Sequence, residues 1–235
     1  MITEAIMKFN EMIHAYIAAK YCVYLEERFG ERGKEAFLHR TRHYAQQRGR
    51  RMAQRAIRDG QPLTYRTYVR YGEWVNTQSA KDAGVANDAK VVSIAPDYEV
   101  HIFTCPWHAQ FKKMGLVEEG LMYCRDLDAS ICRGFNPDID YRTLQTLHDH
   151  SHCIQTVAAS GLTPDMDLSK NPSGLKDFEY HCAHSYFAYK EVCEAIFASR
   201  GERIASDVLR DLAKDYGTEM ADRLYSYRNT DFNSI

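Results

Sequence analysis

Nowhere does this sequence carry the roughly 20 consecutive apolar residues needed to cross a bilayer, so no membrane-spanning helix is expected. Residues 1–10 lack both the basic start and the long apolar run of a signal peptide, making a soluble, cytoplasmic protein the default expectation. A dominant charge sign is missing too. The formal net charge is −2 over 235 residues, which argues against a polyanion-binding protein and against disorder. The basic run His39 to Arg58 reads as a solvated helix face rather than a nucleic-acid surface, and no nucleic-acid partner is expected. There is no even, closely spaced cysteine framework. The seven cysteines (22, 105, 124, 132, 153, 182 and 193) are scattered, which argues against disulfides and for free thiols, most of them core residues. A CxxC pair is also absent, so the sequence signal for a metal is weak.

What is present reads as an α+β protein: an antiparallel sheet with helices packed on it, flanked by N- and C-terminal helical hairpins. Ile6, Phe9, Ile13, Tyr16, Ile17, Lys20 and Tyr24 keep near-helical spacing up to Gly30 and Gly33. A second helix is expected from about Lys34 to Arg58, with an inward stripe of Phe37, Thr41, Tyr44, Arg48, Met52 and Ala56. The Tyr-, Thr- and Val-rich stretch Leu63–Val75 favours a strand, and Asn76–Asn87 a polar loop. Lys90–Ala95 and Tyr98–Cys105 form a hairpin candidate about Pro96 and Asp97. Pro106 opens a short helix ended by Gly115, and a longer helix follows over about Glu118–Arg133. Asp140–Leu147 and Cys153–Ala158 read as strands. The expected organisation is thus residues 1–160 as a core with the first hairpin, a linker over 161–175, and a hairpin over 176–235 packing on the same domain, its helices at Lys176–Ser199 and Glu202–Tyr227.

The terminal hairpins echo one another. His14, Tyr16, Ala18 and Lys20 recur as His184, Tyr186, Ala188 and Lys190; Gly33, Arg42, Ala45, Gly49, Met52, Ala53 and Arg55 recur as Gly201, Arg210, Ala213, Gly217, Met220, Ala221 and Arg223. A duplicated hairpin is the simplest account. His181 and His184 form HxxH, but the repeat relation of His184 to His14 favours a structural role as much as a ligand role.

Reactive side chains are densest between His101 and Cys153. Cys105 ends a strand, and Cys124 and Asp128 share a face of the long helix with Leu121, Ile131 and Phe135. A carboxylate on an apolar face must be hydrogen-bonded, paired or protonated. Asp128 either caps or pairs with Arg125 or Arg133, or serves as a base or proton relay beside a thiol. His148, His150, His152 and Cys153 crowd a turn that is either exposed or part of a site.

The order Cys105-Pro106, Gly115-Leu116, Tyr123-Cys124 with Asp128, Gly134-Phe135-Asn136-Pro137, then a strand and Cys153 resembles the L-2-amino-thiazoline-4-carboxylic acid hydrolase family. The resemblance spans about Lys34 to Val157, including Arg48-Gly49-Arg50-Arg51. It departs where the family usually shows Gly-Asp and this chain has Asp149-His150, and in its second helical hairpin. The resemblance implies a hydrolase that opens a small nitrogen-containing ring: a cyclic amidine, lactam or imide. A more distant likeness to 4-vinyl-reductase-type ligand-binding domains, which place cysteines around zinc, implies that Cys124 and Cys153 lie close together.

Such ring opening needs attack at an sp² carbon, stabilisation of the tetrahedral intermediate and protonation of the leaving nitrogen. The expected catalytic set is Cys105, Cys124, Asp128, Asn136, His152 and Cys153. Cys153 or Cys105 would be the nucleophile, His152 its base, Asp128 the residue that orients or protonates the ring nitrogen, and Asn136 the donor to the developing anion. Arg48 and His150 are expected to bind substrate, Arg48 as a fork on a carboxylate, unless it is a buried structural pair with an acid. No cofactor is expected; the alternative is zinc on Cys105, Cys124, Cys153 and a histidine, activating water. A binding or sensor domain without catalysis is the other function class. The expected partner is a small heterocyclic substrate, and the tyrosine-rich terminal helices offer a contact for a homo-oligomer.

Overall fold

In the computed structural model, residues 8–235 are described; the expected helical position Ile6 lies outside them. Helix α1 (Glu11–Phe29) starts on the Asn10 side chain, which accepts from the amides of Met12 and Ile13. It turns at Gly30, whose φ of +55° suits a residue without Cβ, into α2 (Glu31–Arg58). The second helix therefore begins ahead of Gly33. That glycine does not interrupt the helix but lets it approach α1: a Cβ there would stand 2.0 Å from the Leu25 carbonyl oxygen.

The C-terminal half repeats this device. Helix α7 (Phe178–Phe197) turns at Ala198, φ +50°, into α8 (Ser199–Tyr216), and a Cβ on Gly201 would stand 2.1 Å from the Cys193 carbonyl oxygen. The repeat then diverges. Gly49 lies inside α2, whereas its counterpart Gly217 adopts φ +99° and breaks the expected last helix into α8 and α9 (Thr218–Ser226). Helix α7 packs on both α1 and α2, and α8 on α1, so the two hairpins share one core.

Between the hairpins the sheet runs in the order β1-β2-β4-β3, all antiparallel: β1 Asp88–Ser93, β2 Tyr98–Thr104, β3 Tyr141–Gln145 and β4 Cys153–Val157. Helices α5 (Pro106–Lys113) and α6 (Val117–Phe135) connect β2 to β3. The α+β reading holds, with two local corrections. Leu63–Val75 is not a strand: the Thr64 hydroxyl accepts from the Thr67 amide and starts a short helix, α3 (Tyr65–Arg70). A local cap outweighs β-propensity where no strand lies alongside. The expected loop Asn76–Asn87 also holds a helix, α4 (Gln78–Asp82), capped by Thr77, which is anchored by a 2.5 Å hydrogen bond to the fully buried Glu11.

Alternation along the strands decides which side chains meet the helices. Register pairs Ile102 with Cys153, Val100 and Thr143 with Gln155, and both Tyr98 and Tyr141 with Val157. Val157 is fully buried, so these positions form the inner face. His101 pairs with Ile154 on the outer face.

The most extensive helix pairing among the described residues is α2 on α6, made close by glycines from each side. A Cβ on Gly49 would lie 2.0 Å from the Ile131 carbonyl oxygen, and one on Gly134 would lie 2.5 Å from that of Gln46. This backbone contact sets Arg48 on α2 near enough to Asp128 on α6 for each charge to influence the other.

Candidate active site

A part-enclosed cavity of about 80 Å³ lies between the inner sheet face, α2, α5 and α6. At roughly 12 Å³ per ordered water, that is room for about six waters or one small heterocycle. Arg48, Cys105, Cys124, Asp128 and Cys153 all line it. Four elements deliver them: α2 carries Arg48, the β2–α5 junction Cys105, α6 Cys124 and Asp128, and the start of β4 Cys153.

Asp128 receives a 2.7 Å hydrogen bond from the Gln155 amide, which reaches across from β4. Burial pushes its carboxyl above the ordinary range, against the opposing pull of Arg48 and of the Gln155 bond. Arg48 is buried and makes no hydrogen bond to any described group; its Nε lies 3.4 Å from Glu73 Oε2. Burial opposes its charge, and Tyr44, Glu73, Tyr68 and Asp128 together outweigh that effect and keep it protonated.

Glu73, fully buried on the segment expected to be a strand, receives three arginines from one face of α2. Arg51 donates from Nη2 at 2.9 Å and Arg55 from Nη1 at 2.8 Å, while Arg48 is the most loosely held. Three guanidiniums share one carboxylate, and the cation with the weakest hold lines the cavity. The expected structural pair of Arg48 with an acid is thus present, and the same side chain lines the cavity.

The thiols are crowded and protonated. Burial pushes Cys105 up to about 12, although the amides of His108 and Trp107 point at it. It likewise pushes Cys153 up to about 11 and Cys124 well above the usual thiol value. The imidazole in contact with a thiol is His148, whose Nε2 lies 3.5 Å from Cys124 Sγ. Burial and the neighbouring His108 pull His148 down to about 4, so it is neutral at physiological pH. Gly120 leaves the space for its ring: a Cβ there would be 2.2 Å from His148 Cε1.

Three expected site residues lie elsewhere. His152 immediately precedes β4, and its ring lies on the outer sheet face, stacked on Phe103 and tilted against His101 at centroid distances of 5.4 and 4.7 Å. His150 is exposed and pairs with Asp149 at 3.1 Å. Asn136 caps the end of α6; its amide donates to the Leu63 carbonyl at 2.8 Å and its side-chain oxygen accepts from the Asp138 amide. Both of its polar atoms are spent on backbone.

Sequence reading missed the aromatic and neutral polar walls: Trp74, Trp107, Tyr123, Asn87 and Thr143. Asn87 Oδ1, Tyr123 Oη and Thr143 Oγ1 are buried without a hydrogen-bond partner among the described residues. Buried polar atoms are normally paired, so three such atoms on residues lining one cavity fit a site that takes a polar ligand. Among the described residues, no group of three or more His, Cys, Asp or Glu side chains could hold a metal ion. No helix among them is long and apolar enough to cross a membrane.

An α+β fold with a carboxylate, a loosely paired guanidinium and three thiols around one small cavity has the makings of an enzyme for a small polar molecule. The model of the L-2-amino-thiazoline-4-carboxylic acid hydrolase family matches residues 10–153, more than half of the chain and every cavity residue named here except Gln155. The chain belongs to that hydrolase family. No curated protein and no solved structure matches it.

Proposed function

We propose that the protein hydrolyses a small cyclic amidine that carries a carboxylate. The observation that supports this reading is the opposition of charges in the cavity, Arg48 against Asp128, within the segment matched to the family. A substrate that is anionic at one end and amidinium at the other satisfies both groups, with the carboxylate on the Arg48 fork and the amidinium on Asp128.

Because burial keeps the thiols protonated, water is the preferred nucleophile. Asp128, as carboxylate, takes a proton from water as its oxygen bonds to the amidine carbon. It returns that proton to the ring nitrogen as the carbon–nitrogen bond breaks. The hydroxyl proton left on carbon follows the same route, so a carbonyl forms and the nitrogen leaves as an amine. Both protons of water end on the leaving nitrogen.

A second reading rests on the Cys124–His148 contact, with Cys124 as nucleophile and His148 as its base. Ring opening of 2-amino-thiazoline-4-carboxylate, followed by loss of ring absorbance and by product mass, separates the readings. Asp128→Asn is expected to lower kcat about 10²- to 10⁴-fold, and Arg48→Met to raise KM with kcat largely kept. Full turnover by the Asp128→Asn protein removes Asp128 from the reaction, and loss confined to Cys124→Ser favours the thiol route. Tight binding without turnover by the wild-type protein supports a binding or sensor role instead.

A further inference from the structure

The chain has two tryptophans, and both line the cavity. Trp74 and Trp107 meet edge to face, with ring centroids 5.1 Å apart and planes at 64°, forming a corner backed by Phe178. Trp107 is buried at the second position of α5, and its indole N–H donates to His14 Nδ1 at 3.0 Å. An indole nitrogen can only donate, so His14 Nδ1 must accept and the imidazole proton must sit on Nε2. That nitrogen lies 2.9 Å from the Tyr44 hydroxyl, which accepts it. His14 is itself fully buried on α1 and does not line the cavity. The bond therefore runs from the N-terminal hairpin to a wall of the site, and it fixes the plane of one indole.

We propose that Trp74 and Trp107 form an aromatic corner that grips the flat cationic part of the substrate, and that His14 is the positioning residue that sets the plane of Trp107. The assignment rests on the cyclic-amidine reading above. An amidinium is planar and cationic, and indole is the side chain whose face attracts a cation most strongly. The corner adds to the recognition supplied by Asp128 and selects against neutral rings such as lactams and imides, which carry no cation to place over an indole face. The repeat counterpart of His14, His184, is spent on Arg51 and Gln47 instead, so this role belongs to one copy of the duplicated hairpin.

The test uses the full chain and 2-amino-thiazoline-4-carboxylate as the probe. Since both fluorophores sit in the corner, saturating probe is expected to change tryptophan emission of the wild-type protein. Trp107→Leu is expected to raise KM about 3- to 30-fold with kcat within about twofold. His14→Phe keeps a flat ring, somewhat larger, but cannot accept from Trp107; it should shift tryptophan emission and raise KM in the same range. His14→Asn, which restores an acceptor near Nδ1, should recover both. Should the phenylalanine variant fail to fold, His14→Gln, whose oxygen reaches towards Tyr44 rather than Trp107, takes its place with the same expected rise.

Wild-type turnover with emission indifferent to the probe, or an unchanged KM in Trp107→Leu, overturns the corner and leaves the hydrolase reading standing. Unchanged KM and emission in His14→Phe overturn the positioning role alone. Absence of both turnover and binding in the wild-type protein removes the amidine reading and this assignment together.

Discussion

Replacing Glu73 by Gln tests the electrostatic frame of the site. Glu73 is fully buried and is the shared acid for Arg48, Arg51 and Arg55. Burial alone would raise its carboxyl, but Arg51, Arg48, His181 and Arg55 outweigh that and hold it at about 2, against an ordinary 4.5. Holding the carboxyl at about 2 rather than 4.5, at about 1.4 kcal/mol per tenfold change in proton affinity, corresponds to about 3 kcal/mol of folding free energy at neutral pH. Breaking buried ion pairs by removing one partner typically costs about 3–5 kcal/mol, which agrees. Against a total stability of about 5–15 kcal/mol, such a loss is large.

The sign of the pH dependence follows from the direction of the shift. A lowered folded-state pKa gives stabilisation that is fully present above 4.5 and lost as pH falls through that value towards 2. Urea unfolding followed by far-ultraviolet circular dichroism should therefore show the Gln variant about 3 kcal/mol less stable at neutral pH. The gap should narrow on acidification below pH 4.5. A gap under about 1 kcal/mol, or one that does not change with pH, would refute the view that Glu73 is the ionised hub of three buried arginines.

Other consequences of the structure are open to measurement. Because burial raises Asp128, the acid limb of kcat/KM should lie above the ordinary carboxylate range, and activity should rise with pH as Asp128 ionises; a limb at or below that range would contradict its role as base. Gly49→Ala should cost at least about 1–3 kcal/mol, read by thermal or urea unfolding, and should impair turnover by prising Arg48 away from Asp128. Gly33→Ala and Gly201→Ala should destabilise to similar extents, since each Cβ meets a carbonyl at nearly the same distance; a large asymmetry would argue against equivalent hairpin turns. Protein purified without added metal should contain little zinc and keep its turnover in a chelator; stoichiometric zinc with chelator-sensitive activity would favour metal-activated water.

Periodicity was a good guide wherever a segment's burial follows from its own spacing. The α6 stripe placed Cys124 and Asp128 together because residues four apart share a helix face. At the start of β4 extended backbone turns neighbouring side chains to opposite sides, so His152 and Cys153 do not both face the cavity, although the density of polar residues in that turn suggests that they do. The Asn136 amide suits an anion donor by its chemistry, but an amide directly after a helix finds backbone acceptors and donors nearby and is used up there. Trp74, Trp107, Asn87 and Thr143 carry no motif of their own. The available signal was the pairing of the chain's two tryptophans with residues adjoining Glu73 and Cys105, and it acquires meaning only once those segments meet.

From its residues alone this chain declares a mixed fold, the hairpin of β1 and β2, a duplicated helical hairpin and a kinship with ring-opening hydrolases, because these depend on spacing, turn chemistry and local order. The tertiary structure decided which histidine touches a thiol, that Glu73 gathers three arginines, and that α1 reaches the site through His14 and Trp107. Those outcomes depend on contacts between segments far apart in the chain, whose directions are set by packing rather than by any neighbouring residue.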